Sequence, residues 1–286
     1  MLDPREWFTE IDERSGSALS YRILARLHEE QTPFQRIAIY ETRDWGRLMS
    51  IDGCVMLTSR DNFLYHEALA HIPLFTHADP KRVAIIGGGD CGTLREVLKH
   101  PEVERVVQVE IDERVTRLAE IHFPELCEAN GDPRAELLFA DGIRWMAEAP
   151  DQSLDLIIVD STDPVGPAEG LFNEAFYRQC RRVLARGGLF VQQSESPLAH
   201  TALIRSIHRH LRAAGFPSTH TACFPQPCYP SGWWSLTLAG REARDLTLFR
   251  EAAARAKPFP TRWYNADVHR GALALPEFLA EALASP

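Results

Sequence analysis

No apolar run in the 286-residue chain approaches the ~20 residues that a membrane-spanning helix requires. The start, Met1 to Trp7, carries acidic residues where a secretory signal has a basic stretch followed by an apolar one, so no signal is expected. The six cysteines (Cys54, Cys91, Cys127, Cys180, Cys223 and Cys228) form no C-x-x-C pair. That excludes a zinc ribbon or a disulfide framework and points to a reducing, cytoplasmic setting. Basic charge is also short, with 31 Lys and Arg against 40 Asp and Glu and a formal net charge of −9. A sequence-independent grip on nucleic-acid phosphates is therefore disfavoured, and a cationic ligand suits the chain better. No internal repeat or low-complexity tract is present. The ordinary share of hydrophobic (45%) and charged (25%) residues excludes collagen-like and largely disordered classes. The length suits one large domain with a small companion.

The first 60 residues differ in pattern from the rest. Arg36 to Glu41 and Arg47 to Leu57 carry β-branched and aromatic residues around turn signals at Asp44 to Gly46 and Asp52-Gly53, which predicts a small antiparallel β unit ending near Ser59. From Arg82 onward, short apolar segments alternate with longer amphipathic ones, the pattern of a parallel sheet with crossover helices. Strands are expected at Val83–Ile86, Val106–Glu110, Glu136–Phe139, Leu156–Asp160 and Leu189–Gln193. Helices are expected at Gly92–Lys99, Glu113–His122, Ile143–Glu148, Asn173–Leu184 and Thr201–Ala214, with a turn at Arg186-Gly187-Gly188. His220–Phe224 and Trp234–Leu238 read as a final hairpin, and Pro276 to Ala284 as a terminal surface helix. The fold class is thus α/β, a methyltransferase-like (Rossmann-like) doubly wound sheet over residues 60–286, preceded by a small antiparallel β domain over residues 1–59.

Chemistry concentrates at the carboxyl ends of the expected parallel strands. Ile85-Ile86-Gly87-Gly88-Gly89-Asp90-Cys91-Gly92 is a strand entering a glycine-rich turn and then a helix, where backbone can approach a ligand closely. Dinucleotide oxidoreductases and adenosyl-nucleoside transferases both use such a loop. Asp90 separates them: inside the turn a carboxylate repels a pyrophosphate but attracts an ammonium or sulfonium, which argues against NAD. Glu110 closes the next strand about twenty residues later, where a carboxylate can accept both hydroxyl hydrogen bonds of a ribose. Asp141-Gly142 is placed for an adenine edge, for a helix N-cap, or for both. Asp160 and Asp163 add two more carboxylates at the same edge of the sheet, and three acids converging on one cleft need a cation between them.

These residues carry a resemblance that spans nearly the whole chain. GGGDCGTLREVLKHP (87–101), VEID (109–112), DPR (132–134), ADG (140–142) and DSTDPVGPAEGLF (160–172) resemble the motifs of the polyamine aminopropyltransferases, the spermidine synthase family. RDNFLYHE (60–67), YPSGWWS (229–235) and YNADVH (264–269) match in the same order. The resemblance implies transfer of the aminopropyl group of decarboxylated S-adenosylmethionine to a diamine, usually putrescine, giving spermidine and methylthioadenosine. It implies that Gln35, Gly88, Asp90, Glu110, Asp141, Gly142 and Pro167 bind the nucleoside donor, and that Tyr65, His66, Asp90, Asp160, Asp163 and Tyr229 bind the amine. Asp160 would accept the proton, and the segment from Asp160 to Phe172 would close over the substrates. It further implies a homodimer or homotetramer, and no cofactor beyond the donor, which is a co-substrate. Tyr65, Tyr229 and Trp233 are candidates for the aromatic walls that a diamine's aliphatic middle calls for.

Several features depart from that pattern or stay open. Cys91 stands where the family commonly has glycine, Pro227-Cys228 precedes Tyr229 where the family often has threonine, and Leu273 replaces a common phenylalanine. Cys91, next to the donor's expected position, reads as a tolerated small side chain, with an altered donor pocket or a redox-sensitive thiol as alternatives, whereas the other two changes bear on acceptor selectivity more than chemistry. His66 and His71, five residues apart, point ~140° away from each other on a helix, so no metal site is expected. Ser194-Glu195-Ser196 reads as a helix-capping turn. Cadaverine, agmatine, diaminopropane or spermidine are alternative acceptors. A methyltransferase using ordinary S-adenosylmethionine, or a non-catalytic polyamine sensor, are alternative functions.

Overall fold

The computed structural model of the protein describes residues 2–164 and 166–284, with the side chain of Pro167 also outside the description. Five strands, β1 (Trp7–Asp12), β2 (Ser17–Gln31), β3 (Arg36–Thr42), β4 (Arg47–Ile51) and β5 (Cys54–Thr58), form an antiparallel sheet in chain order. Helix α1 (Asn62–Thr76) leads into a second, seven-stranded sheet. Its elements run β6 (Arg82–Gly87), α2 (Gly92–Leu98), β7 (Arg105–Glu110), α3 (Glu113–His122), β8 (Ala135–Phe139), α4 (Gly142–Glu148) and β9 (Leu154–Asp160). They continue through α5 (Glu174–Val183), β10 (Leu184–Gln193), α6 (Thr201–Ala213), β11 (Ser218–Pro225) and β12 (Trp233–Gly240). Three short helices, α7 (Glu251–Arg255), α8 (Ala266–Leu273) and α9 (Glu277–Ala284), end the described chain.

The strand order is β11-β12-β10-β9-β6-β7-β8, parallel from β10 to β8, with the β11–β12 hairpin antiparallel at one edge. The chain winds outward from β6 through β7 to β8, then returns to lay β9 and β10 on the other side. The order therefore reverses between β6 and β9, where open α/β sheets bind their ligands. Segments such as Ala84–Ile86 and Leu156–Val159 are apolar throughout because helices cover both faces of the sheet, so they do not alternate.

The expected parallel strands and the last hairpin are present, and α3 spans the expected residues. Three expectations need correction. The first sheet has two further strands, β1 and β2, ahead of Arg36. Helix α1 was not among the expected helices; all its residues except Phe63 and Leu64 are buried, so it shows no amphipathic stripe to read. The turn at Arg186 to Gly188 lies inside the irregular start of β10, where pairing to β9 skips from Leu184 to Leu189.

Two connections position the site. The first sheet packs Ile37, Ile39, Met49 and Leu57 against Leu118, Phe123 and Leu126 of α3 and the loop after it. The buried Glu67 of α1 accepts backbone N–H bonds from Arg262, Trp263 and Tyr264 at 2.8, 2.8 and 2.7 Å, which anchors the C-terminal segment. The motif from Tyr264 to His269 is accordingly structural: Asn265 caps α8 and Tyr264 bonds His269. Phe123, at the end of α3, is wholly buried in the cluster that packs the first sheet on that helix. Phe123→Ala is expected to cost ~3–5 kcal/mol in urea unfolding, the usual penalty for emptying a large aromatic site. A cost below ~1 kcal/mol would show that the first sheet is not packed on α3 this way.

Candidate active site

The register of the parallel sheet brings three strand ends level. Gly87 pairs with Asp160, Ile86 with Val109, and Glu110 with Phe139. The loop after β6 then turns across the end of β9. Gly87 has φ +84°, and a β-carbon there would lie 2.2 Å from the Asp160 carbonyl oxygen, so no other residue fits. The Gly88 N–H donates to that same carbonyl at 2.7 Å. A turn built this way holds Asp90 and Asp160 at one opening.

That opening is a cavity of about 300 Å³ between the two sheets. Asp52, Asp90, Glu110, Asp141, Asp160 and Asp163 line it, and no lysine, arginine or histidine does among the described residues. Met49, Ile51, Cys54 and Met56 of the first sheet form an apolar wall, and Tyr65 and Tyr229 an aromatic one. Their rings meet edge to face at 6.0 Å.

Asp160 accepts hydrogen bonds from the Tyr65 hydroxyl (Oδ1, 2.8 Å) and the Thr93 hydroxyl (Oδ2, 2.6 Å). Burial, then the charge of Asp90, pushes its carboxyl up to about 6 despite those donors. Asp90 goes the other way. Burial raises it, but His66, 3.2 Å away through Nε2, and the Gly92 N–H at 2.7 Å outweigh burial and lower it. His66 answers in kind: burial disfavours its imidazolium, and Asp90 overrides this and raises its pKa. Glu110 is pushed up to about 7, chiefly by burial, while its Oε1 accepts the Asp112 N–H at 2.8 Å. Asp163 is likewise pushed up to about 7 by burial and by Glu195.

Of the residues expected at the site, Gln35, Gly88, Asp90, Glu110, Asp141, Gly142, Tyr65, Asp160, Asp163 and Tyr229 all line this one cavity. Asp141 also caps α4, accepting from Ile143 N–H at 2.8 Å, so the expected N-cap is present on a residue that also lines the cavity. Gln35 is oriented by Asp112, which accepts its side-chain N–H at 3.0 Å. His66 is not on the wall; it stands buried behind Asp90, where a β-carbon on Gly92 would collide with its ring at 2.1 Å. It contacts Asp90 through Nε2 and is not among the residues that line the cavity. Trp233 is also off the cavity, edge-on to Phe278 of α9. The side chain of Pro167 and all of Val165 lie outside the described residues; the neighbouring Gly166, Ala168 and Leu171 line the cavity.

Sequence reasoning assigned no role to Thr93 or Asp112, although both lie inside motifs it singled out. It also missed the charged group Arg14, Glu195 and His200. A turn is present where a helix cap was expected, with Ser196 Oγ accepting from Ala199 N–H at 3.1 Å, but it does not cap α6, whose N-cap is His200 with no side-chain hydrogen bond. Its middle residue, Glu195, is wholly buried and holds His200 Nδ1 at 2.7 Å.

A switch-point cavity with a glycine turn, a carboxylate at the next strand end and a purely acidic rim defines a Rossmann-like transferase for cationic reactants. Residues 62–248 match the spermine/spermidine synthase domain, and residues 6–59 the spermidine synthase tetramerisation domain. The polyamine aminopropyltransferase of Methylococcus capsulatus is 67% identical over 283 residues, covering 99% of both chains. That of Thioalkalivibrio sulfidiphilus is 62% identical over 278 residues, covering 97% of both. A spermidine synthase solved with the transition-state analogue AdoDATO superposes with a TM-score of 0.93 at 36% identity, over 97% of this chain and 94% of that one. The spermidine synthase of Thermotoga maritima gives 0.91 at 36% identity with the same coverage. The chain belongs to the spermine/spermidine synthase family and is an enzyme, a polyamine aminopropyltransferase.

The raised pKa of Asp160 has a stability cost with a definite sign. A folded-state value of about 6 against ~3.9 unfolded destabilises the empty protein by roughly 3 kcal/mol. The penalty is absent below pH ~4, develops between pH ~4 and 6, and is complete above pH ~6. Asp160→Asn should therefore raise the melting temperature of the empty enzyme at pH 8 by roughly 5 °C or more. The gain should vanish at pH 4 in the same calorimetric series, and a variant less stable at pH 8 would contradict the assignment.

Proposed function

We propose that the enzyme is a spermidine synthase, moving the aminopropyl group of decarboxylated S-adenosylmethionine to putrescine. The observation that carries this reading is a lining of six carboxylates with no basic side chain among the described lining residues; Arg14 reaches one of the six, Asp163, from outside the lining. Decarboxylated donor presents an ammonium and a sulfonium, and a diamine presents two ammoniums, so each charge brought in relieves repulsion among the acids. Ordinary S-adenosylmethionine carries a carboxylate, and no basic side chain stands among the described lining residues around Asp90, Glu110 and Asp141 to receive it, which disfavours methyl transfer. We assign Glu110 to the ribose hydroxyls, Asp141 and Gln35 to the rest of the nucleoside, Asp90 to the donor's ammonium, and Asp163 to the far ammonium of the acceptor. The segment from Asp160 to Phe172 closes the site.

The near nitrogen of the diamine attacks the propyl carbon bonded to sulfur. As the C–N bond forms, the C–S bond breaks with its electron pair going to sulfur, and neutral methylthioadenosine leaves. One proton must leave the attacking nitrogen. An alkylammonium near ~10.4 and an ordinary aspartate near ~3.9 differ by roughly 9 kcal/mol. With Asp160 pushed up to about 6, the gap narrows by about a third before the walls desolvate the amine. Tyr65, its own pKa raised far up by burial, stays a donor and orients the carboxylate.

The sulfonium is its own leaving group, so the step draws on no metal, nicotinamide or pyridoxal cofactor; activity should survive exhaustive chelation. We place the enzyme in the cytoplasm on its cysteine pattern, without nucleic-acid partners, and cell fractionation checks this. No helix among the described residues is long and apolar enough to cross a membrane. We infer a homotetramer or homodimer built through the first sheet, whose exposed Ile11, Leu24 and Leu27 are supportive. Sedimentation equilibrium showing a monomer would remove that inference.

The deciding experiment is a product assay with the decarboxylated donor across putrescine, cadaverine, agmatine, diaminopropane and spermidine. Methylthioadenosine should appear fastest with putrescine; adenosylhomocysteine from ordinary S-adenosylmethionine would establish methyl transfer instead. Asp160→Asn should lower kcat by at least ~100-fold, in the range of a lost general base, with donor affinity changed far less. Unaltered turnover would refute the role of Asp160.

A further inference from the structure

The β1–β2 turn carries a charge to Asp163, one of the acids that line the cavity. Arg14 Nη2 stands 3.3 Å from Asp163 Oδ2 and 3.3 and 3.4 Å from the two carboxylate oxygens of Glu195. The turn is braced to deliver it: Asp12 accepts the Arg14 N–H at 3.1 Å and the Ser15 hydroxyl at 2.5 Å. His200 serves Asp12 through Nε2 at 3.1 Å and Glu195 through Nδ1 at 2.7 Å. Two of the three acids thus have a partner in His200. Among the described residues, Arg14 is the cation that faces Asp163.

We propose that Arg14 is a specificity-determining residue that caps the acceptor channel and limits it to diamines. The inference rests on the reading of the cavity as an amine channel. With the near nitrogen at Asp160 and the far ammonium at Asp163, a third ammonium of a longer amine has to pass beyond Asp163. That is where the guanidinium of Arg14 lies, already sharing the charge of Asp163 and of the buried Glu195. A third positive nitrogen meets a like charge there and finds its carboxylates occupied. A diamine stops short of this point. Arg14 acts through the two acids, so it is a positioning residue and not a catalytic one.

Full-length Arg14→Gln and Arg14→Lys enzymes, assayed with decarboxylated donor, test this with putrescine as the diamine and spermidine as the triamine. In Arg14→Gln the spermidine-to-putrescine ratio of kcat/KM should rise at least tenfold, mainly through a lower KM for spermidine, with the KM for the donor held. Arg14→Lys should keep the parent ratio. An unchanged ratio in Arg14→Gln, or an equal loss toward both amines, overturns the proposal. Methylthioadenosine release by the unaltered enzyme reports separately on the amine-channel reading: if no amine supports it, that reading and the proposal both fail, whereas release with a ratio insensitive to position 14 removes only the proposal.

Discussion

Mutual repulsion among acids gathered in one cavity is the constraint around which this protein is arranged. Asp90, Asp160, Glu110 and Asp163 are brought together by strand register and by a glycine turn that no side chain could replace. Left empty, the arrangement is costly, and two of its members are pushed up to about 7. Occupied by positive reactants, the same arrangement becomes favourable. Much of the surrounding detail reads as management of this cost: His66 behind Asp90, Tyr65 and Thr93 on Asp160, and Arg14 beside Asp163.

The two sheets divide the labour. The parallel sheet supplies the reactive groups, because its strand ends and the loops after them converge at the switch point. The antiparallel sheet supplies the apolar wall of Met49, Ile51, Cys54 and Met56, which lowers the polarity of that side of the cavity. Neither half makes a site alone. The packing of Ile37, Ile39 and Leu57 on α3 is therefore as much a part of the active site as the acids are.

What was legible in the amino-acid pattern follows from locality. The parallel strands announce themselves because sandwiched strands are continuously apolar, and Asp90, Glu110 and Asp160 because each ends or follows such a strand. By contrast, β2 is largely exposed and polar, and α1 is buried on every side, so neither shows the one-sided periodicity on which recognition depends. The group of Arg14, Asp163 and Glu195 joins residues 149 and 181 positions apart, which no local pattern can register. His66 was legible as a site residue but not as standing behind Asp90, since depth in a cleft is a property of packing.

The anchoring of Glu67 carries an implication for how the chain comes into being. Its three backbone partners are supplied 195 to 197 residues later. As a ribosome emits the chain, the central helix emerges early with an ionisable group that has no place to go until Arg262 to Tyr264 follow. Burying that helix sooner would strand a bare carboxylate in hydrocarbon. Completion of the nascent core is thereby deferred until Arg262 to Tyr264 have been made.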